Sequence, residues 1–284
     1  MRTAPFLTMV ATLSALTACS NYANVRSFAG GLQTVTGDTA TIVAADEDSC
    51  AQNRALQAEY AALEHQQLAL PDCARLKTTL AAILIESKAL QAYGTALSTL
   101  AQDQYVTTDT DGKAATGSLG ATGLVKAPVV NAVGSIFGFV ETAALEGYRK
   151  GKLEDAMTGP TADAFRTIVA SFGALSKQYA VALHSQADNI DLISSVFTHN
   201  HSATEPLATM EVKLRLATLQ SGIAAKTAAL KDFNDALAKL EPAFDAAVAD
   251  IDHPSGKEIN DSIKSFAGKA NAVHDSVLKA FGTH

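Results

Sequence analysis

"VKLRLATLQSGIAAKTAALKDFNDALAKLEPAFDAAVADI" (Val212–Ile251) sets Val212, Leu216, Leu219, Ile223, Lys226, Leu230, Phe233, Leu237, Leu240, Phe244, Ala247 and Ile251 at steps that alternate four and three. Only Lys226 in this series is polar. Alternation of four and three follows the turn of an α-helix, so the series holds one face against a partner along its whole length. Pro242 lies inside it, lacks an N–H and crowds the preceding turn, which predicts a kink or a break there.

A second series follows at Ile259, Ile263, Phe266, Ala270, Val273 and Val277. Between the two, "DIDHPSGK" (Asp250–Lys257) has the composition of a turn, with Ser255 placed to cap the next helix and Glu258 three residues on. A link this short forces the two helices to lie antiparallel. The same spacing recurs upstream, at Phe165, Ile168, Phe172, Leu175, Tyr179, Ala182 and Gln186, continuing after a slip at Ile190, Ile193 and Phe197. "TGPTAD" (Thr158–Asp163) marks the start of that helix and "THNHSATEP" (Thr198–Pro206) its end. Leu76, Leu80, Ile83, Leu90 and Leu97 form another stripe, and Phe28, Leu32, Val35, Thr39 and Ile42 another, with Leu56, Tyr60 and Leu63 resuming beyond Cys50. Period-two alternation and β-branched runs are scarce. The fold class predicted is all-α, an elongated antiparallel helical bundle with coiled-coil-like hairpins.

One stretch departs from the pattern. "YVTTDTDGKAATGSLGATG" (Tyr105–Gly123), rich in Thr, Gly and Asp, reads as a loop between N-terminal helices (19–104) and a central and C-terminal bundle (124–284), the whole forming one continuous domain. The apolar run after it places Gly134 and Gly138 at GxxxG spacing. The segment Leu119–Val140 is long enough for a membrane span, yet it contains Lys126, Pro128 and Asn131. It reads as a central buried helix, with a membrane-interacting surface as the alternative.

The net charge of −7 comes with no cluster of Lys and Arg beyond "YRKGK" (Tyr148–Lys152). Binding to phosphate backbones needs a basic footprint, so nucleic acid is not an expected partner. At the amino end, Arg2 precedes an apolar run through Phe6, Leu7, Met9, Val10, Leu13 and Leu16, and small Thr17 and Ala18 precede Cys19. This is the layout of an export signal. "LTAC" (Leu16–Cys19) resembles the lipobox of bacterial lipoproteins. The resemblance implies removal of residues 1–18 and lipidation of Cys19, and Ser20 in place of an Asp implies the periplasmic face of the outer membrane. Acyl chains contribute about 0.8 kcal/mol per buried methylene, so several chains hold a protein to a bilayer without a spanning helix. "ALQAYGTALSTLA" (Ala89–Ala101) and "RLATLQSGIAAKTAALKDFNDAL" (Arg215–Leu237) are similar to segments of helical bacterial envelope lipoproteins; no functional residue comes with that likeness.

Cys50 and Cys73 remain, and two thiols in an oxidising compartment pair. On one straight helix they would stand about 34 Å apart, so a disulfide requires the chain to turn back between them. Pro71, in "QQLALPDC" (Gln66–Cys73), supplies the break.

Chemistry-bearing motifs are weak. "TTDTDGK" read as a calcium loop with Gly112 at position six puts Thr107 at position one and Ser118 at position twelve, which removes two ligands. His199 and His201 with Glu205 offer imidazole and carboxylate on an interhelical loop, without a third ligand at fixed spacing. No GxSxG, HExxH or phosphate-cradling glycine loop occurs. No catalytic residue, metal site or cofactor is expected. The function expected is that of a non-enzymatic, lipid-anchored periplasmic scaffold or adaptor binding another envelope protein, with the oligomeric state left open.

Overall fold

The computed structural model describes residues 21–282 apart from 66, 68, 103, 105, 108–111, 124, 147–149, 202 and 253–256. Cys19, the export segment 1–18 and the proposed cap at Ser255 lie outside the described residues. Among those described, the chain is an all-α bundle. Its helices are α1 (Asn21–Leu63), α2 (Cys73–Leu100), α3 (Gly112–Ala121), α4 (Ala127–Glu146), α5 (Lys150–Met157), α6 (Gly159–His201), α7 (Pro206–Asp252) and α8 (Lys257–Phe281).

Side-chain pairs fix the directions. Asn24, Ser49 and Glu59 of α1 meet Asp250, Lys226 and Arg215 of α7, so these helices are antiparallel. Glu47 and Thr36 of α1 meet Lys77 and Ser87 of α2, again in opposite order. Ser49, Gln52 and Asn53 meet Tyr179, Gln186 and Asn189, so α6 runs parallel to α1. Arg166 and Asp191 of α6 bond Asp245 and Gln220 of α7, and Lys269 of α8 bonds Asp232 of α7, so successive long helices alternate in direction.

The breaks have local causes. His65 takes a positive φ of 52° after α1, and the Asp72 carboxylate accepts the Arg75 N–H at 3.2 Å to cap α2. Gly123, Gly159 and Gly282 supply the other left-handed turns, the last closing α8 through its N–H to the Leu278 carbonyl. Cys50 and Cys73 are joined as a disulfide with their Cα atoms 5.9 Å apart, because the chain turns back through Pro71 between α1 and α2.

The central helix is α1, which packs against α2, α6, α7 and α8. Along its first half, buried positions surround it: Val25, Phe28, Leu32, Val35, Thr36, Thr39, Ile42 and Val43 are all inside. Phe28 meets Phe165, Phe244 and Phe266, and the Phe165 and Phe244 rings stack at 4.4 Å, which joins α1, α6, α7 and α8 near the start of α1. The α1–α8 approach is closest at Gly31, where a Cβ would lie 2.6 Å from the Phe266 ring.

Four expectations change. Within Tyr105–Gly123, Gly112–Ala121 is helical, not loop: a Cβ at Gly112 would strike Phe137 at 2.6 Å, and the short helix gains its place by lying that close to α4. Leu119–Val140 is not one helix, because Gly123 with φ of 62° separates α3 from α4, and α4 sits on the flank of the bundle against α2, α3 and α6. α7 passes through Pro242 unbroken; Pro242 and Ala238 are both exposed, so the carbonyl that loses its partner faces water. α6 runs on through Thr198 to His201, so His199 stands on a helix end and not on a loop.

Candidate functional site

A row of polar side chains runs through the interior on α1. Thr36 and Thr39 return their hydroxyls to the carbonyls of Leu32 and Val35, which satisfies them without a partner helix. Ser49 shares a 2.9 Å hydrogen bond with the Tyr179 hydroxyl, which also donates to the Ala45 carbonyl at 3.1 Å. Lys226 reaches the Ser49 oxygen at 3.4 Å. The one polar residue of the α7 heptad series is therefore consumed in crossing to α1, and burial pushes its ammonium pKa down.

Among the described residues four carboxyl groups are buried: Asp38, Asp46, Glu86 and Asp250, the last accepting the Asn24 side-chain amide at 3.2 Å. Asp38 meets His274 Nδ1 at 2.8 Å; burial pushes its pKa up and the histidine works against that rise. Asp46 is pushed up to about 6 by burial. Glu86 on α2 accepts the Ser171 hydroxyl of α6 and is pushed up to about 7, again by burial. Among the described residues, four buried side-chain polar atoms make no hydrogen bond: Asp38 Oδ2, Asp46 Oδ2, Ser176 Oγ and Gln186 Oε1. These groups are spread along the buried sides of α1, α2, α6 and α7.

Of the site residues singled out in the sequence, Cys50 and Cys73 are brought together, and Cys19 lies outside the described residues. Among the described residues no three of His, Cys, Asp and Glu gather to hold a metal. One window of α4, Ala127–Ala144, is long and apolar enough to cross a membrane by composition, and Ile136, Phe137 and Val140 within it are buried against the bundle. A Cβ at Gly138 would meet nothing within 4 Å and one at Gly134 would touch Thr116 of α3 at 3.6 Å, so of the GxxxG pair only Gly134 faces a neighbouring helix; the tight approach is at Gly112.

The feature with the form of a binding surface lies on the outside of α7. Leu207, Met210, Leu214, Ala217, Ser221, Ala224 and Ala228 step by three and four and are all exposed. Leu207, Met210 and Leu214 are 78%, 67% and 71% exposed, among the few large apolar side chains so placed. α7 thus carries two heptad faces, an inner one in the core and an outer one in water. Farther along α7, Asp232 bonds Lys269 and Ser276 of α8, and Asp235 pairs with Lys269. α8 ends at Phe281 beside Tyr179, and α2 starts at Cys73 opposite Cys50. Past those levels the rod continues as α1, α6 and α7, and the outer face of α7 lies uncovered. The sequence held the signal for this face, in a spacing as regular as that of the inner series, but Ala and Ser at four of its positions kept it below notice.

Comparison with protein-family models, with curated proteins and with solved structures finds no match to this chain.

Proposed function

We propose that this protein is a non-enzymatic helical scaffold of the bacterial envelope, tethered by lipid on Cys19 at the periplasmic face of the outer membrane, that docks a protein partner on its far end. The observation that carries this reading is the uncovered heptad face of α7 from Leu207 to Ala228. An exposed apolar stripe at heptad spacing is the complement of another helix and is costly to leave in water.

Polarity of the rod supports the same reading. α1 starts at Asn21, two residues past Cys19, and Asn24 bonds Asp250 near the end of α7 at 3.2 Å. Met210 lies about 60 Å farther along α7 at 1.5 Å per residue. A lipid on Cys19 would tether one end of the rod to the bilayer and leave the α7 face at the end far from the anchor, free to meet a protein.

Two measurements test this. Cys19→Ser should abolish incorporation of labelled fatty acid, and persistence of label would remove the anchor from the proposal. A photo-crosslinking residue at Met210 should give a protein adduct in intact cells, whereas one at Lys239, in the charged part of α7, should not; no adduct at Met210 would end the docking reading.

A further inference from the structure

The uncovered face has a defined beginning and end. It begins with α7 itself at Pro206 and stops after Ala228, where Lys231, Asp235 and Lys239 make the same side charged and α8 packs alongside. It is also graded in size. The large residues Leu207, Met210 and Leu214 occupy the first half, and Ala217, Ser221, Ala224 and Ala228 the second.

A surface graded this way fits its own copy turned end for end. Two antiparallel α7 helices in heptad register set Leu207 against Ala224, Met210 against Ser221 and Leu214 against Ala217, and the two-fold axis repeats each pair. Every layer then holds one large and one small side chain, which keeps the helix axes at one separation along the seam. A parallel pairing of two copies lacks this match. It stacks large on large and small on small, and beyond Ala228 it brings Lys231 onto Lys231 and Asp235 onto Asp235, like charges face to face. In the antiparallel pair the charged half of each α7, with its α8, lies beyond the end of the other, and no charge enters the seam.

Building on the docking reading above, we infer that the partner on this face is a second copy of the chain, held antiparallel along Leu207–Ala224 of α7. The seam is about 27 Å long and one helix wide, or roughly 300 Å² in projection. That is well below the roughly 800 Å² per partner of a standard stable interface, so the dimer is a weak, reversible one. The start of α1 in each copy lies at the outer end, and the two starts stand about 100 Å apart. Two copies anchored in the same bilayer then pair with their rods lying along its surface, one anchor at each end.

The test uses the full chain carrying Cys19→Ser, so that no lipid contributes to association. Sedimentation velocity over a micromolar concentration series should show a monomer–dimer equilibrium, and Leu214→Asp should raise its dissociation constant by about 30-fold or more while leaving helicity unchanged. Leu214 is exposed, so this substitution leaves the core intact. Under mild oxidation, a chain with Met210→Cys mixed with one carrying Ser221→Cys should form a disulfide-linked pair, while Met210→Cys alone should not, its two copies lying about 17 Å apart along the seam. Strong linkage of Met210→Cys to itself would overturn the antiparallel arrangement. A chain that stays monomeric throughout, yet yields a different protein at Met210 in cells, overturns the self-pairing and leaves the docking function standing. A monomer with no adduct in cells removes both.

Discussion

Glu86 makes the stability of this bundle depend on pH in a direction opposite to that of most proteins. It is 2% exposed between α2 and α6, and its carboxyl accepts the Ser171 hydroxyl, one donor for two oxygens. Burial raises its pKa from 4.5 to about 7. A carboxyl that binds its proton more tightly when folded adds stability that is complete below the unfolded value, and that stability is lost as pH rises through the folded one. The window here is therefore pH 4.5 to 7. At about 1.36 kcal/mol per pH unit, Glu86 alone removes about 3 kcal/mol between the bottom and the top of that window. Asp46, raised by burial from 3.8 to about 6, acts with the same sign over a lower range. Asp232, whose pKa is lowered chiefly by the Ser276 hydroxyl, acts in the opposite sense but lies near the surface, where solvent screens it. Thermal unfolding followed by circular dichroism should give a midpoint several degrees higher at pH 5 than at pH 8, at about 2–4 °C per kcal/mol for a chain of this size. Glu86→Gln keeps the shape and removes the charge, so it should raise the midpoint at pH 8, leave it little changed at pH 5 and flatten the slope. A wild-type midpoint independent of pH from 5 to 8, or a Gln variant less stable than wild type at pH 8, would refute the assignment of a buried, proton-binding Glu86.

Other consequences are open to simpler measurement. Reduction of Cys50–Cys73, or Cys50→Ser with Cys73→Ser, should lower stability by about 3 kcal/mol from the restored freedom of the 23-residue separation in the unfolded chain, read as a lower urea midpoint with reductant present. Phe165→Ala should cost about 3–5 kcal/mol by opening a cavity among Phe28, Tyr93 and Phe244, and a loss under 1 kcal/mol would contradict the stacked cluster. Gly31→Val should destabilise by about 1–3 kcal/mol, since even its Cβ meets the Phe266 ring at 2.6 Å; Gly30→Ala, which points into open space, should not.

The architecture was legible wherever one large apolar side chain recurred per turn. Every member of the Phe28–Ile42 series is buried, and the α7 series is buried from Leu230 to Ile251. The disulfide was legible as well, because Pro71 gave the turn that its geometry requires. What stayed hidden was the rank of the helices. α1 is central although Thr36, Asp38, Thr39, Asp46, Ser49 and Asn53 lie on its buried sides, where hydropathy reads solvent. Threonine enters such a core by bonding its own helix, and no pattern of polarity records that bond. α4, the most apolar helix, reads from its composition as central and lies on the flank, since apolar composition states that a helix must be covered and not by how many neighbours.

The outer face of α7 turns the same limitation around. Heptad spacing identifies a face that can pack, but it does not distinguish a face packed within the chain from one left for another molecule. On α7 the two faces differ in grading and in boundary. The inner face carries large residues along its length and continues to Ile251, while the outer one falls from Leu and Met to Ala and stops where α8 begins to cover the helix. An intramolecular seat has no need to be self-complementary, because its partner helix has a sequence of its own. A face that meets a copy of itself must match its own reversed order of sizes and exclude charge from the overlap. The stretch from Leu207 to Ala224 satisfies both conditions, and Val212–Ile251 satisfies neither, since it carries Lys226 and is large at both ends.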